Sequence, residues 1–314
     1  MKRRPRFRSN DMALWNRRDL LAAGGAAVAC TLAPRRAPAA LTALGVGKVP
    51  LRMSLAAYSL RKYLQLRPVE VGAISLVDVA RYAAEQGFDA VEPTSYYFRN
   101  DDVQAEIVQL KAHCLRMGLD VSGGAIRNNF TLPPGDELDR EFAQVAKWVE
   151  LYSLLGAPVI RVFAGTPPKG MSHDEAIANA AKNLQTASEA AGAFGVTLAL
   201  ENHDFLTDPA RMLRIVEQVD SMWFGVNWDS GNFRTADPYA DLAQLAPYAV
   251  NAQIKVAMFD PAGKETPADF ARLIGILRDA EYRGAVVLEY EGSADPYAAI
   301  PLHAAQLRAA IDGA

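Results

Sequence analysis

The chain has 314 residues, half of them hydrophobic, and its 33 basic and 36 acidic side chains give a formal net charge of −3. Residues 1–40 hold nine of the basic residues and two of the acidic ones, so residues 41–314 keep 24 and 34 and carry a net charge of −10. A domain that acidic does not hold a phosphate backbone through bulk electrostatics, which counts against nucleic acid as a partner.

The first forty residues have the composition of an export signal rather than that of a folded domain. Five basic residues fall within 2–8, the segment NRRDLL at 16–21 is a twin-arginine pattern, an apolar run covers 20–32, and APAA at 37–40 supplies a cleavage site. The apolar run is too short to span a bilayer as a permanent helix. We therefore expect export to the periplasm by the twin-arginine route, removal of residues 1–40, and no permanent membrane anchor.

From residue 51 the sequence alternates short apolar runs with longer amphipathic ones, eight times in all. The apolar runs predict strands at 51–58, 88–92, 119–122, 159–164, 196–201, 224–229, 250–256 and 286–291. The amphipathic runs predict helices at 75–87, 101–117, 136–155, 172–194, 208–219, 237–245, 267–280 and 296–311. This rhythm indicates parallel strands joined by helices. Because no glycine-rich dinucleotide turn follows the first strand, we predict an α/β fold of the single (β/α)8 TIM barrel type over residues 41–314.

Cysteine content adds one constraint. Removal of the leader leaves Cys114 alone, so no intrachain disulfide can form. Its position within a predicted helix indicates a small core residue.

Four oxygen-bearing side chains end four consecutive predicted strands, and they are the candidate site. Strands five to eight finish with Glu201, Asp229, Gln253 and Glu289. In a barrel these tips meet at one mouth, where three carboxylates would repel one another unless a cation kept them ionised. The residues therefore predict one divalent metal ion. All-oxygen ligation favours Mn²⁺ or Mg²⁺, with Co²⁺ as a further candidate, over zinc.

The same tips carry a resemblance to a known family. The segments GVTLALENHD, VNWDSGNF, NAQIKV and YRGAVVLEYEG resemble the xylose isomerase-like TIM barrels, which include ketose 3-epimerases and inosose dehydratases. The likeness covers residues 51–311. It implies that Glu201, Asp229 and Glu289 are metal ligands, and that the two glutamates also act as the acid and base on the sugar.

Two positions depart from the family pattern. The family usually has histidine where this chain has Gln253, and often has histidine where this chain has Asn232. Glutamine can offer a neutral amide oxygen to a metal but cannot act as an imidazole acid or base.

A second group of candidates lies close to the predicted tips. His203 and Lys255 each follow a tip residue by two positions, the spacing that keeps side chains on one face of a strand. Lys255 could stabilise an oxyanion or neutralise a neighbouring carboxylate, and Glu92 could bind a substrate hydroxyl or pair with Arg161. Tyr58, together with Trp228 and Phe163, could form an apolar wall for a sugar, although such aromatic residues are more often core. The candidate substrate-binding residues are thus His203, Lys255, Glu92, Arg161, Asn232 and Tyr58.

The resemblance implies an isomerase or epimerase that moves a proton next to a carbonyl through an enediolate. Export argues for an unphosphorylated sugar or keto-sugar as substrate, because sugar phosphates are cytoplasmic metabolites. Two alternatives stay open at this point. One is a lyase of the inosose dehydratase or keto-glycoside-cleaving kind, which would use the same enediolate, and the other is a non-catalytic periplasmic sugar-binding barrel. Barrels of this family often pair, which leaves a homodimer open.

Overall fold

The computed structural model describes residues 51–66, 70–99 and 102–313, so the predicted export signal at 1–40 lies outside the described residues. The α-helices are α1 (Arg61–Leu64), α2 (Leu76–Glu85), α3 (Val103–Met117), α4 (Asp136–Leu155), α5 (His173–Gly192), α6 (Pro209–Val216), α7 (Pro238–Leu245), α8 (Phe270–Asp279) and α9 (Pro296–Gly313). Short 3-10 turns at Ala57–Leu60, Ser95–Tyr97, Asp204–Thr207 and Ala246–Tyr248 connect several strands to the helices that follow.

The strands form one nine-stranded sheet and one small hairpin. The sheet contains β1 (Arg52–Ala56), β2 (Ala90–Glu92), β3 (Asp120–Val121), β4 (Gly124–Ala125), β5 (Val159–Val162), β6 (Thr197–Glu201), β7 (Phe224–Asp229), β8 (Ala249–Lys255) and β11 (Ala285–Glu289). Every pairing within it is parallel, and β11 pairs with β1. The hairpin pairs β9 (Ala257–Phe259) with β10 (Glu265–Pro267).

The sheet closes into a barrel through its third strand, which is split. β3 pairs with β2, whereas β4 pairs with β5, and only Ser122 and Gly123 separate the two pieces. The backbone N–H of Ala125 also donates to the Pro93 carbonyl at 3.2 Å, which continues the ladder from the end of β2. The split third strand therefore joins both ends of the sheet, and the TIM barrel prediction is confirmed.

Two features differ from the sequence-based expectation. The third strand was predicted as one run, but it is split into β3 and β4 around Gly123, whose backbone approaches Val159 closely enough that an added Cβ would lie 3.2 Å from the Val159 carbonyl oxygen. The hairpin of β9 and β10 was not predicted. It turns on Asp260, whose carboxylate accepts from the backbone N–H groups of Ala262 and Lys264 at 2.9 and 2.8 Å.

Local capping accounts for where several helices begin. Ser75 before α2 and Ser172 before α5 each form a capping box with an acidic residue three positions later, which satisfies backbone N–H groups that have no partner within the helix. Asp208 caps α6, with proline at its first position. The helices bury their apolar faces in one continuous hydrophobic core that runs from Leu51 to Ile311.

Among the described helices, none combines the length and the apolar character that a bilayer crossing needs.

Candidate active site

The inside of the barrel is polar near its C-terminal mouth. Side chains on a strand alternate between the two faces, so every second residue of a barrel strand points inward. The buried polar residues on or beside the barrel strands include Ser54, Glu92, Arg161, Glu201, Asn227, Asp229, Asn251, Gln253 and Glu289. So many buried polar groups are costly unless they are paired, and their partners define the site.

The first group of partners surrounds Lys255, the last residue of β8. Its Nζ lies 3.2 Å from Oδ2 of Asp229 and also contacts carboxylate oxygens of Glu289 and Glu291. Lys255 and Glu289 are direct partners in the register of β8 and β11, which brings their side chains together. The lysine side chain is only 12% exposed. One ammonium is therefore shared by three carboxylates at the mouth.

The second group surrounds Glu201, the last residue of β6. Its Oε2 lies 2.9 Å from Nε of Arg161, and both side chains are buried. Its Oε1 accepts a hydrogen bond from Nδ2 of Asn232 at 3.0 Å. The guanidinium of Arg161 also donates to the Ile126 carbonyl at 2.8 Å and lies 4.0 Å from the ring centre of Phe163. Glu201 is thus held in one orientation by a cation and an amide.

The third group is a closed ring of hydrogen bonds deeper in the barrel. Gln253 donates from Nε2 to Glu92 at 2.6 Å and accepts at Oε1 from Asn227 at 2.7 Å. Asn251 donates from Nδ2 to both Glu92 and Asn227 at 2.7 Å. All four side chains are almost completely buried. Both polar ends of Gln253 are therefore engaged within the ring.

Burial and charge shift the acidity of these groups. Burial raises the pKa of Asp229 to about 6 against the opposing effect of Lys255, and it also raises the pKa of Glu289. Burial and then the like charge of Glu289 raise the pKa of Glu92 to about 7. For Glu291, burial would raise the pKa, but the charge and hydrogen bond of Lys255, together with smaller contributions that include the charge of Arg61, lower it. Burial alone would lower the pKa of Lys255, but the surrounding carboxylates raise it well above its ordinary value.

The predicted metal set can be tested against this geometry. Glu201, Asp229 and Glu289 do converge on one mouth, as predicted, but Gln253 is bonded to Glu92 and Asn227. Lys255 already lies among the carboxylates that a divalent ion would need. Within the described residues, no cluster of three histidine, cysteine or acidic side chains is arranged to hold a metal ion. The donor set in this arrangement therefore does not fit a divalent ion.

The remaining candidates occupy different places. His203 lies at the rim, with its side chain 43% exposed and its ring 4.7 Å from that of Phe163. Tyr58 is half-buried, and burial followed by the charge of Glu291 raises its pKa. Trp228 is fully buried and donates to the Leu242 carbonyl of α7, so it belongs to the core and not to a sugar-facing wall. The alternative pairing of Glu92 with Arg161 is not formed, because the arginine pairs with Glu201.

Three residues of the site were missed from sequence. Glu291 follows Glu289 by two positions, and the same spacing that singled out Lys255 could have found it. Asn227 and Asn251 precede Asp229 and Gln253 by two positions, within strands that read as apolar. Their inward direction follows from the strand period, but the hydrogen bond from Asn251 to Glu92 depends on a distant strand.

The chain is similar to known proteins in sequence and in structure. A family model described as xylose isomerase-like TIM barrel matches residues 80–310. A solved L-ribulose 3-epimerase is 17% identical, with a TM-score of 0.65, over 84% of this chain and 95% of that one. A 3-keto-D-glucoside 4-epimerase from E. coli is 18% identical, with a TM-score of 0.62, over 82% and 99%. A xylose isomerase-like protein from Mycobacterium smegmatis, solved with magnesium, is 16% identical, with a TM-score of 0.60, over 83% and 96%. These identities show a common fold, and no curated protein sequence gives a significant match.

Proposed function

The chain belongs to the xylose isomerase-like TIM barrel family, and from that premise we propose that it is a sugar isomerase or epimerase. Its substrate is an unphosphorylated sugar or keto-sugar, and the reaction moves a proton on a carbon next to a carbonyl group. The names of the L-ribulose and 3-keto-D-glucoside epimerases of the same fold support this class of reaction.

The observation that carries the proposal is the pair of buried glutamates at the mouth. Glu201 ends β6 and Glu289 ends β11, and β7 and β8 separate these two strands in the barrel. A sugar bound between them would have one carboxylate toward each face, as a proton transfer from one face to the other requires. Each glutamate contacts a buried cation, Arg161 or Lys255 respectively, which holds its carboxyl group in a defined position at the mouth.

The chemistry can be assigned to the residues of the chain. One glutamate takes the proton from the carbon next to the carbonyl, and the C–H electron pair moves toward the carbonyl oxygen to give an enediolate. The other glutamate, in its acid form, returns a proton on the opposite face. Asn232 and Arg161 hold Glu201 in position during both steps. The divalent ion expected from the sequence does not fit the donor set described above, and no step here depends on it.

The charges of the site support an unphosphorylated substrate. Four carboxylates lie at the mouth, on Glu201, Asp229, Glu289 and Glu291. The two buried cations beside them, Arg161 and Lys255, are already paired with those carboxylates. A phosphate group would meet more negative charge than positive charge here, whereas neutral hydroxyls can bind the same carboxylates as donors.

The test is proton NMR of residues 41–314 in D₂O with free ketoses, inososes and 3-keto-glycosides, with and without added Mg²⁺. We expect deuterium to enter a carbon next to the carbonyl, and Glu289→Gln and Glu201→Gln to slow this exchange at least about 100-fold, as loss of a general acid or base does. Glu217→Gln, at an exposed position on the protein surface, is the control and should exchange at the parent rate.

The products of the same experiment decide between the related functions. Recovery of an epimer or isomer supports the proposal, whereas release of a leaving group without an epimer would show a lyase. Sugar binding without exchange of any substrate would contradict both enzymes and indicate the binding barrel.

The predicted export completes the proposal. We place the mature protein in the periplasm because of the twin-arginine segment at 16–21. Replacing Arg17 and Arg18 by lysine should retain the protein in the cytoplasmic fraction, and secretion of the double variant at the parent level would contradict this location.

A further inference from the structure

Packing against Gly231 and a hydrogen bond to Ser230 fix the position of Lys255. An added Cβ on Gly231 would lie 2.5 Å from Cγ of Lys255 and 2.8 Å from its Cβ, so the glycine leaves the space through which the lysine stem passes. The backbone N–H of Lys255 donates to Oγ of Ser230 at 2.8 Å. The stem is thus packed and its backbone is fixed, and the ammonium is directed at Asp229 and Glu289.

Gln253, the fourth predicted metal ligand, is held by hydrogen bonds to Asn227 and Glu92. Gln253 could offer its Oε1 to an ion only if Asn227 lost its acceptor, and it would at the same time withdraw Nε2 from Glu92. Both partners are buried, and a buried polar group that loses its hydrogen-bond partner destabilises the fold. The ring therefore opposes rotation of Gln253 toward the mouth.

A divalent ion and the ammonium also exclude each other. An ion bound by Asp229 and Glu289 would lie within a few ångströms of Lys255 Nζ, because the same two carboxylates contact it. Like charges so close together in a buried site repel strongly.

We infer that Lys255 takes the place of the divalent ion in this chain and is a catalytic residue, whose ammonium binds the substrate oxygen that becomes negative during proton transfer. The identity of that oxygen rests on the proposed function, whereas the exclusion of metal by Lys255 does not.

The exposure of its three partners shows how the lysine can reach the substrate. An ammonium has three N–H donors, and two of them bind Glu289 and Glu291, whereas the 3.2 Å contact with Oδ2 of Asp229 is an ion pair without a hydrogen bond. The Asp229 and Glu289 side chains are 0% and 7% exposed, but that of Glu291 is 39% exposed. The substrate carbonyl oxygen therefore displaces Glu291, which turns to solvent. As a glutamate removes the carbon-bound proton, the carbonyl π electrons move onto this oxygen, and Lys255 donates a hydrogen bond to it without giving up its proton.

The decisive experiment measures metal binding and exchange separately. Chelator-treated residues 41–314, with metal content checked by mass spectrometry, are titrated with Mn²⁺ and followed by electron paramagnetic resonance. We expect the parent chain to bind no Mn²⁺ below about millimolar concentration. Its deuterium exchange without added metal should lie within about twofold of its exchange with added Mn²⁺ or Mg²⁺.

The Lys255 variants test the residue itself. Lys255→Ala should bind Mn²⁺, because it leaves three carboxylates without their cation. Lys255→Met should lose exchange at least about 100-fold, comparable with loss of an oxyanion donor. Lys182→Met, at an exposed position of α5, is the matched control and should match the parent in both assays.

Each outcome bears on the inference. Tight Mn²⁺ binding by the parent chain, or exchange that needs added metal, overturns it, and so does full exchange in Lys255→Met. If no substrate exchanges at all but the parent excludes Mn²⁺ and Lys255→Ala binds it, the proposed function fails while the place of Lys255 in the metal position stands. If the lysine variants do not fold, the Mn²⁺ titration of the parent chain still decides whether the site excludes a divalent ion.

Discussion

Arg161 is the buried residue on which the position of Glu201 depends most. We expect Arg161→Met to lower the free energy of unfolding by about 3 kcal/mol or more, because it leaves the Glu201 carboxylate buried without its cation. Adding Glu201→Gln to this variant should recover at least about 1 kcal/mol, because the two residues act as a pair. Urea unfolding followed by circular dichroism measures both values.

An exposed ion pair gives the matched control for Arg161. Arg214 lies 2.8 Å from Asp174, and both side chains are more than half exposed. Because exposed ion pairs contribute little, Arg214→Met should cost less than about 1 kcal/mol. Equal losses in the two arginine variants, or no recovery in the double variant, would show that Arg161 acts through packing alone.

Glu92 should give the protein a measurable dependence of stability on pH. Its pKa is raised from the ordinary 4.5 to about 7 by burial and by the charge of Glu289. Between these pH values the folded state binds a proton that the unfolded state does not. The stabilising contribution is therefore full below about pH 4.5 and is lost as pH rises through about 7. The loss amounts to about 3 kcal/mol at roughly 1.4 kcal/mol per pKa unit.

Glu92→Gln isolates this effect, because glutamine does not titrate. The free energy of unfolding of the variant relative to the parent should rise by about 3 kcal/mol between pH 4.5 and 7.5 in urea titrations. Changes in the hydrogen bonds to Asn251 and Gln253 add an offset that does not depend on pH. Glu265→Gln, in the exposed β10, is the control for loss of an exposed acid. A constant difference between Glu92→Gln and the parent over this range would rule out a titrating Glu92.

At the scale of the elements, the tip of β7 and the end of β8 form one packed unit. Gly231 follows β7, and an added Cβ would overlap the Lys255 stem and approach the Ala257 carbonyl oxygen to 3.1 Å. We expect Gly231→Ala to cost about 1–3 kcal/mol, as overpacking does, and to displace the ammonium. Gly275→Ala in α8 is the control, because nothing lies within 4 Å of its added Cβ, and it should stabilise the protein by about 0.5–1 kcal/mol. Thermal unfolding measures the melting temperature of both variants. Shifts of the two melting temperatures in the same direction would contradict this expectation.

The elements also show what the sequence could and could not predict. Both ends of β7 and of α4 agree with the predicted boundaries, because the apolar runs there are long and clearly bounded. The split of β3 and β4 was missed because the two pieces pair with different strands, β2 and β5, and such pairings are contacts between distant residues. Runs of apolar residues report burial of an element, but they carry no information on such contacts.

The site shows the same limit in its side chains. The position of Gln253 at the mouth end of a barrel strand followed from the strand period, but its bonding did not. Its partners Asn227 and Glu92 are 26 and 161 residues away in sequence, and both come from other strands. Lys255 could be placed beside the carboxylates, yet its contact with three of them follows only from the parallel register of β8 with β11 and β7.

At the scale of the whole molecule, the barrel and its helices share one core. The buried apolar residues form a single cluster that includes members of β1, β11 and α9, so both ends of the described chain pack into it. Cys114 of α3 belongs to the same cluster and is 2% exposed. A core of this kind favours unfolding as one cooperative unit, although a domain of this size can also unfold through intermediates.

Cys114 can test that cooperativity, because it is the one thiol of residues 41–314. Burial raises its pKa to about 11, so the folded protein should not react with a disulfide reagent at pH 8. In a urea series we expect the labelling rate to follow the fraction unfolded measured by circular dichroism. Leu115→Cys, at a position that is 81% exposed on the same helix, should label at once and controls for reagent access. Rapid labelling of Cys114 in urea that leaves the circular dichroism unchanged would show that α3 opens by itself, and the single core would then divide at that helix.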